Sequence, residues 1–245
     1  MKKQYRKQVL DKPRYVVCLK YGKKYPPAYV NTLHNMVKRN LTLNYNFVCF
    51  TEDPEGLDKE IYVKPLSLVK NVEGWWYKPF FFNPDIGLDG TILFLDLDMI
   101  IFRNIDNLFT YQPGKFCIIR DFNRCRNPNY DKFNSSVFRL DTGQHANVYR
   151  DFIKDPKTNS RRFQGDQDWI RHKIKKDYEY WPDEWIQSYK WEMRNRPRMV
   201  LDPRGGRNFA DVGEPNIKAE TNIAVFHGDP NPHKCNDPWV IANWK

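Results

Sequence analysis

Cysteine is scarce in this sequence and forms no recognisable pattern. The cysteines are Cys18, Cys49, Cys117, Cys125 and Cys235, and no two of them make a Cys-x-x-Cys pair. An odd number without such spacing argues against a disulfide framework and against a zinc ribbon. We therefore expect reduced thiols, and the first three lie inside apolar runs, as buried cysteines do.

Long apolar runs are missing as well. No stretch approaches the roughly 20 consecutive apolar residues that a membrane-spanning helix requires. The basic residues 1–7 are not followed by the apolar segment that completes a secretory signal peptide. We predict a cytoplasmic protein without a transmembrane segment, in which residues 1–13 form a loose basic arm.

The composition is that of a folded protein with many basic residues. Of 245 residues, 40% are apolar, 16% are aromatic and 29% are charged, which excludes a disordered chain and a coiled coil. The formal net charge of +10 favours anionic partners such as phosphates, nucleic acid or acidic glycans. Because the basic residues are scattered along the chain, a solvated basic surface is the alternative interpretation.

Apolar runs alternate with an amphipathic stretch in the first half of the chain. Strands are predicted at residues 15–19, 47–50, 61–63, 91–95, 116–119, 136–140 and 223–226, and helices at residues 27–41, 75–83, 146–154 and 166–175. Continuous apolar strands that alternate with helices are typical of a parallel sheet covered on both faces. We predict an α/β fold in which a central, mostly parallel sheet is flanked by helices, in a single domain over residues 14–245.

Two carboxylates directly follow the most apolar of these strands. Residues 93–98 read LFLDLD, so Asp96 and Asp98 stand at alternate positions of an extended chain and point to the same side. Two carboxylates so close repel each other unless a cation neutralises them, and oxygen ligands favour Mg²⁺ or Mn²⁺. The pair predicts a divalent-cation site at a strand end, where open α/β sheets bind their ligands. Two solvated acids are the alternative.

Five short motifs together resemble one enzyme family. Residues 93–109 are similar to the DxD segment of the GT-A nucleotide-sugar glycosyltransferases, most closely those of family 8, the glycogenin-like and galactosyltransferase-like enzymes. Four further segments resemble that family in the same order, namely residues 76–78 (WYK), 133–137 (FNSSV), 165–168 (GDQD) and 225–228 (VFHG). The resemblance implies a Rossmann-like GT-A domain with a donor-binding half near residues 14–110 and an acceptor or catalytic half near residues 111–245.

The resemblance also assigns roles to particular residues. It implies that Asp96, Asp98 and His227 bind Mn²⁺ or Mg²⁺, and an imidazole beside two carboxylates suits Mn²⁺ better. It implies catalytic roles for Asn134, Asp166 and Gln167 next to the donor sugar. The donor-binding residues that it implies are Leu19, Lys20, Tyr21, Tyr25, Lys78, Asp96, Leu97, Asn134, Ser135, Asp166, Gln167, Gly228 and Lys234.

Several of these assignments have a structural alternative. Tyr25 could instead cap the core, Lys78 could be a surface lysine, and Asp166 could be the N-cap of its helix. The spacer after His227 is longer than the family's, so that either Lys234 or His233 would close over the pyrophosphate. The aromatic residues 180–195 could form an acceptor wall or simply belong to the core.

The implied activity is the metal-dependent transfer of a hexose, glucose or galactose, from a UDP-sugar. The resemblance favours retention of configuration, and slow donor hydrolysis is a possible side reaction. The acceptor is left open among a glycan, a protein, a lipid-linked sugar and DNA. Two other functions compete with this one: a basic nucleic-acid-binding protein, and a haloacid-dehalogenase-like phosphatase, which also carries Asp-x-Asp after an apolar strand but normally near its N-terminus.

Overall fold

The structure is a computed structural model that describes residues 12–194, 199–201, 207–209 and 215–245. The predicted basic arm therefore lies outside the described residues, apart from Lys12 and Pro13. In the ranges described, no helix has both the length and the apolar character needed to cross a membrane.

A central sheet organises the molecule. The described strands are β1 Arg14–Lys20, β2 Asn46–Thr51, β3 Tyr62–Pro65, β4 Thr91–Leu95, β5 Met99–Ile101, β6 Cys117–Arg120, β7 Phe133–Asp141, β8 Glu179–Tyr180, β9 Ile186–Ser188, β10 Met199–Leu201, β11 Arg207–Phe209 and β12 Ile223–Val225. Seven of them form one sheet in the order β3-β2-β1-β4-β7-β6-β8. The first four strands in this order run parallel, while β7 is antiparallel to both of its neighbours.

Both faces of this sheet are buried. Every side chain of β4 is buried, and successive residues enter opposite layers: Leu93 and Leu95 join one apolar cluster, Ile92 and Phe94 the other. This is why the strand reads as a continuous apolar run instead of alternating with polar residues.

Helices cover the two faces and frame the ends of the strands. The α-helices are α1 Pro27–Asn40, α2 Asn107–Thr110, α3 Asn147–Phe152, α4 Pro156–Arg162, α5 Asp166–Ile174 and α6 Pro238–Asn243. Pro27 opens α1, since its ring presets the backbone angle of a first turn. Residues Gly74–Phe82 form a 3-10 helix that contains Pro79, in place of the α-helix that the aromatic run would favour.

A second, smaller sheet begins immediately after the Asp-x-Asp pair. β12 lies between β5 and β9, antiparallel to the former and parallel to the latter. The backbone N–H of Phe226 donates to the carbonyl of Asp98 at 2.9 Å, so that the chain following β12 is fastened beside the carboxylates. β10 and β11 form a separate antiparallel pair.

The architecture confirms the predicted α/β fold with a mostly parallel central sheet. Each predicted strand has a counterpart in the described structure, and helices occur near residues 27–41, 146–154 and 166–175 as predicted. No assignment was possible from sequence for residues 177–215, where the structure contains β8, β9 and a π-helical turn, Tyr189–Met193. The division into donor and acceptor halves stays a prediction.

Candidate active site

A cavity of about 990 Å³ opens at the carboxyl ends of β1 and β4. These two strands are parallel neighbours, so the residues that follow them meet at one edge of the sheet. Ten predicted site residues line the cavity: Leu19, Tyr21, Tyr25, Lys78, Asp96, Leu97, Asp98, Ser135, Asp166 and Gln167.

The two carboxylates are held by backbone hydrogen bonds on either side. Asp96 N–H donates to the carbonyl of Ser136 at 2.9 Å, and the Asp98 carbonyl accepts from Phe226. Leu97 between them turns into the core, where it is 2% exposed. Burial and the charge of Asp96 raise the pKa of Asp98 to about 6. A carboxylate beside a second carboxylate is harder to ionise, and a cation bound between the two would relieve their repulsion.

Lys78 is a buried cation directly beside this pair. The 3-10 helix Gly74–Phe82 delivers its ammonium, which donates to Asp96 Oδ2 at 2.8 Å and to the Ser135 carbonyl at 3.1 Å. Burial lowers the pKa of Lys78, but the charges of Asp96 and Asp166 outweigh burial and the net pKa is raised. A charged lysine is thus fixed inside the cavity, which rules out the surface-lysine alternative.

Asp166 is buried deep in the same cavity. It is the first residue of α5 and its side chain does not cap the helix, since Gly165 occupies the cap position, so the capping interpretation was wrong. Burial raises the pKa of Asp166, although Lys78 opposes this. Among the described residues, Asp166 Oδ2 has no hydrogen-bond partner. An unpartnered buried carboxylate oxygen is the kind of group that a substrate hydroxyl satisfies.

Tyr25 connects the cavity wall at the end of β1 to the carboxylates. Its hydroxyl donates to Asp98 Oδ2 at 2.8 Å, and its ring packs at 4.8 Å from that of Tyr29. Burial and the charge of Asp98 raise the pKa of Tyr25, so the hydroxyl keeps its proton and acts as a donor. The packing with Tyr29 is what a core-capping role predicts, while the exposed part of the ring still lines the cavity.

Two predicted residues have side chains that point away from the cavity. Lys20 lies between Leu19 and Tyr21, points to the opposite side and donates to the carbonyl of Asp53 at 2.9 Å. Asn134 precedes Ser135, and its amide oxygen accepts from the backbone N–H of Ser136 at 3.0 Å. Neither side chain is among the cavity's lining residues.

The C-terminal motif also lies outside the lining. His227 Nε2 is hydrogen-bonded to Ser188 Oγ at 2.6 Å, and its ring stacks on Phe122 at 5.4 Å. Burial and the charge of Lys190 lower the pKa of His227 to about 4, so the imidazole is neutral, as a metal ligand must be. Gly228 and Lys234 are exposed, and neither lines the cavity.

The set of side chains that could ligate a metal ion is therefore incomplete in this conformation. Across the described residues, no three His, Cys, Asp or Glu side chains converge closely enough to hold a metal ion. Asp96 and Asp98 fit such a role by chemistry and position. His227 is a suitable metal ligand by chemistry, and its backbone lies near the pair because the preceding residue, Phe226, is hydrogen-bonded to Asp98. Its imidazole, however, faces Ser188.

Sequence reasoning assigned no site role to several residues that line this cavity. The cavity lining adds Lys23, Lys24, Trp75, Trp76, Asp121, Asn123, Tyr130, Lys132, Gln164 and Asp168. Asp121 was detectable, because it follows the predicted strand at residues 116–119. Within the aromatic stretch, Trp181 and Tyr189 are buried in the core, which favours the core interpretation of those two residues over an acceptor wall.

Comparisons with known proteins give the fold a context. No protein-family model matches the sequence, and no curated protein matches it significantly. An active-site mutant of LgtC superposes with a TM-score of 0.62 at 12% identity, over 93% of each chain. The galactosyltransferase LgtC in complex with donor and acceptor sugar analogues gives a TM-score of 0.58 at 12% identity, over 89% of this chain and 88% of that one.

A second solved enzyme has the same core within a longer chain. The glycosyltransferase GlyE of Streptococcus pneumoniae TIGR4 gives a TM-score of 0.55 at 16% identity, over 71% of this chain. The match spans 46% of the GlyE chain, less than half of its length. At these identities the likeness is one of fold, and the chain has the GT-A fold of these glycosyltransferases.

Proposed function

We propose that this protein is a metal-dependent glycosyltransferase that moves a hexose, glucose or galactose, from a UDP-sugar to an acceptor with retention of configuration. One observation carries the proposal: Asp96, Asp98, Lys78 and Asp166 converge in one cavity at the carboxyl edge of the sheet. The cavity lies in a fold shared with LgtC, one of whose solved structures holds donor and acceptor sugar analogues.

The cavity wall at the end of β1 suits a flat heterocycle such as a nucleobase, and the inner end suits a sugar. Leu19, Tyr21 and Tyr25 offer apolar and aromatic surface at the end of β1. Ser135 and Asp166 lie near Lys78 and offer oxygen atoms for sugar hydroxyls. A nucleotide-sugar would thus extend from the tyrosines past the carboxylate pair to Asp166.

The carboxylate pair supports the cation requirement. Asp96 and Asp98 would hold Mn²⁺ or Mg²⁺ from one side, and His227 would complete the set if its ring left Ser188. A divalent cation bound there neutralises the negative charge that develops on a diphosphate leaving group. Lys78 contributes a fixed positive charge at the same place, and this charge is the more effective because the Lys78 side chain is buried.

Asp166 is the residue nearest in character to a catalytic carboxylate. It is 4% exposed, and its free Oδ2 would accept a hydrogen bond from the donor sugar or contact the anomeric carbon from the face opposite the diphosphate. Retention follows either if the acceptor hydroxyl attacks from the leaving-group side or if Asp166 acts as a transient nucleophile. Gln167, hydrogen-bonded to Asp121 at 3.4 Å, would orient the sugar hydroxyls.

Thermal unfolding against UDP, GDP, CMP and ADP, each with and without Mn²⁺, tests the donor site. A ligand at about 100 times its dissociation constant adds about 2.7 kcal/mol, which raises the midpoint by about 5–10 °C for a chain of this size. We expect this shift with UDP alone, and only with Mn²⁺. UDP-glucose and UDP-galactose are then compared by UDP release.

Two matched variants sharpen this measurement. Asp98→Asn should abolish the Mn²⁺-dependent shift, whereas Asp85→Asn, which changes an exposed carboxylate outside the cavity, should keep it. If no nucleotide shifts the midpoint of the unaltered protein, the assignment of the cavity as a donor site is wrong.

A further inference from the structure

A second hollow of about 590 Å³ lies next to the candidate active-site cavity, which we now call the donor cavity. This second hollow is strongly cationic. We call it the cationic groove, and its lining residues are Lys132, Arg162, Phe163, Gln164, Asp168, Arg171, His172 and Lys175. Four of these are permanently charged bases, and one is an acid. Like charges that face a single hollow repel each other, so the groove favours the binding of an anion.

The local acids neutralise only part of this charge. Arg171 is held by Asp131 at 2.7 Å, and Lys132 lies 3.7 Å from Asp168. In the part of the chain that the structure describes, neither Arg162 nor Lys175 has an ion-pair partner. These two bases therefore supply the uncompensated charge, and in the chain they stand before and after α5.

The groove is continuous with the reacting end of the donor cavity. Lys132, Gln164 and Asp168 line both hollows. Asp168 lies one residue beyond Gln167 in the first turn of α5, the turn that begins with Asp166. Tyr21 and Tyr25 line only the donor cavity. A molecule in the groove thus reaches the sugar end of the donor, the side from which an acceptor must approach.

We propose that the cationic groove binds an oxyanion, phosphate or carboxylate, carried by the acceptor sugar, and that Arg162 and Lys175 recognise it. This rests on the proposed glycosyltransferase function and narrows its acceptor to an anionic glycan or sugar phosphate. Arg162 offers a planar fork that pairs with two oxygens, and Lys175 a point charge. Phe163 lines the same groove and supplies an apolar surface for the sugar ring.

Calorimetric titration at low salt tests the groove directly with glucose 6-phosphate, glucuronate and glucose. We expect each charged sugar to bind about tenfold or more tightly than glucose, since hydrogen bonds between charged groups are the stronger ones. The double variant Arg162→Gln/Lys175→Gln should lose this preference. Lys59→Gln/Lys70→Gln, which removes the same charge from exposed positions outside both hollows, should keep it.

The arms of the titration separate the possible outcomes. A preference for glucose 6-phosphate over glucuronate identifies phosphate as the group, and the reverse identifies carboxylate. Equal binding of charged and neutral sugars overturns the proposal, and so does a preference that survives in the Arg162/Lys175 double variant. Tight binding of a short single-stranded oligonucleotide without any binding of the charged sugars would also overturn it and assign the groove to nucleic acid.

The same samples separate this proposal from the proposed function. The UDP- and Mn²⁺-dependent thermal shift is measured on the unaltered protein and on the Arg162/Lys175 double variant. A shift that is present in both, without selective binding of charged sugars, contradicts the groove proposal alone. Selective binding of charged sugars without any nucleotide shift contradicts the glycosyltransferase function and leaves the groove as an oxyanion site.

Discussion

Tyr25 illustrates how one residue can serve two neighbours in this protein. Its ring lines the cavity where the family resemblance predicts the base, and Lys24 Nζ lies 4.7 Å from the ring centre. Its hydroxyl meanwhile holds Asp98 in place at 2.8 Å. No motif predicted this hydrogen bond, because it joins residues 73 positions apart in the sequence.

Removing that hydroxyl should destabilise the protein through Asp98. Tyr25→Phe keeps the ring but leaves a half-buried carboxylate without its donor, so we expect the free energy of unfolding to fall by about 1 kcal/mol in urea. Tyr62→Phe alters a tyrosine that is 64% exposed and should change nothing measurable. In an Asp98→Ala background, Tyr25→Phe should lower the free energy of unfolding only slightly. If the decrease there is as large as in the unaltered protein, the hydroxyl acts through another partner.

Helix α1 places a titratable group where the core should be apolar. His34 is 6% exposed, its ring lies 5.0 Å from that of Phe47, and its Nδ1 has no hydrogen-bond partner among the described residues. Burial lowers the pKa of His34 from its ordinary 6.5, and Lys38 adds to this, while Glu60 and Asp58 oppose it. The folded protein therefore holds this imidazole neutral where the unfolded chain would protonate it.

The stability contributed by α1 should consequently fall in acid. Because the pKa of His34 is lower in the folded protein, the unfolded chain binds the extra proton below about pH 6.5. The free energy of unfolding therefore decreases as the pH falls from about 6.5 toward the folded-state pKa. We expect urea unfolding at pH 7.5 and 5.0 to show a smaller loss for His34→Phe than for the unaltered protein. His172→Asn, which alters an exposed histidine, should show the same decrease in the free energy of unfolding between pH 7.5 and 5.0 as the unaltered protein. An equal decrease in all three proteins would contradict the role of His34 in this pH dependence.

The elements themselves show how far sequence patterns reach. β4 and the Asp-x-Asp pair were predictable, because an apolar run and its polar end are local features. The antiparallel direction of β7 was not, since its apolar pattern is the same in either direction. The placement of Lys20 and Asn134 did not follow from motif matching, because a motif names neighbouring positions and does not determine which of their side chains face the cavity.

At the scale of the whole molecule, the cavity ties separate parts of the fold together. Its lining comes from the ends of β1 and β4, from β7, from the 3-10 helix and from α5, which are far apart in the sequence. A ligand that contacts all of them binds the folded state only, so it should suppress global opening by mass action. The cysteines provide a way to observe such opening.

Cysteine labelling should therefore report nucleotide binding at a distance. Cys18 and Cys49 are paired in register across β1 and β2, both fully buried, while Cys125 is exposed. A thiol reagent should reach Cys125 without any opening of the sheet, whereas it should modify Cys18 and Cys49 only when the central sheet opens. UDP with Mn²⁺ at about 100 times its dissociation constant should slow the labelling of Cys18 and Cys49 about 100-fold, as followed by mass spectrometry of their peptides. The rate at Cys125 should stay the same.

If UDP raises the unfolding midpoint yet leaves the Cys18 and Cys49 rates unchanged, the sheet opens locally without disturbing the cavity, and the central strands are not coupled to the site.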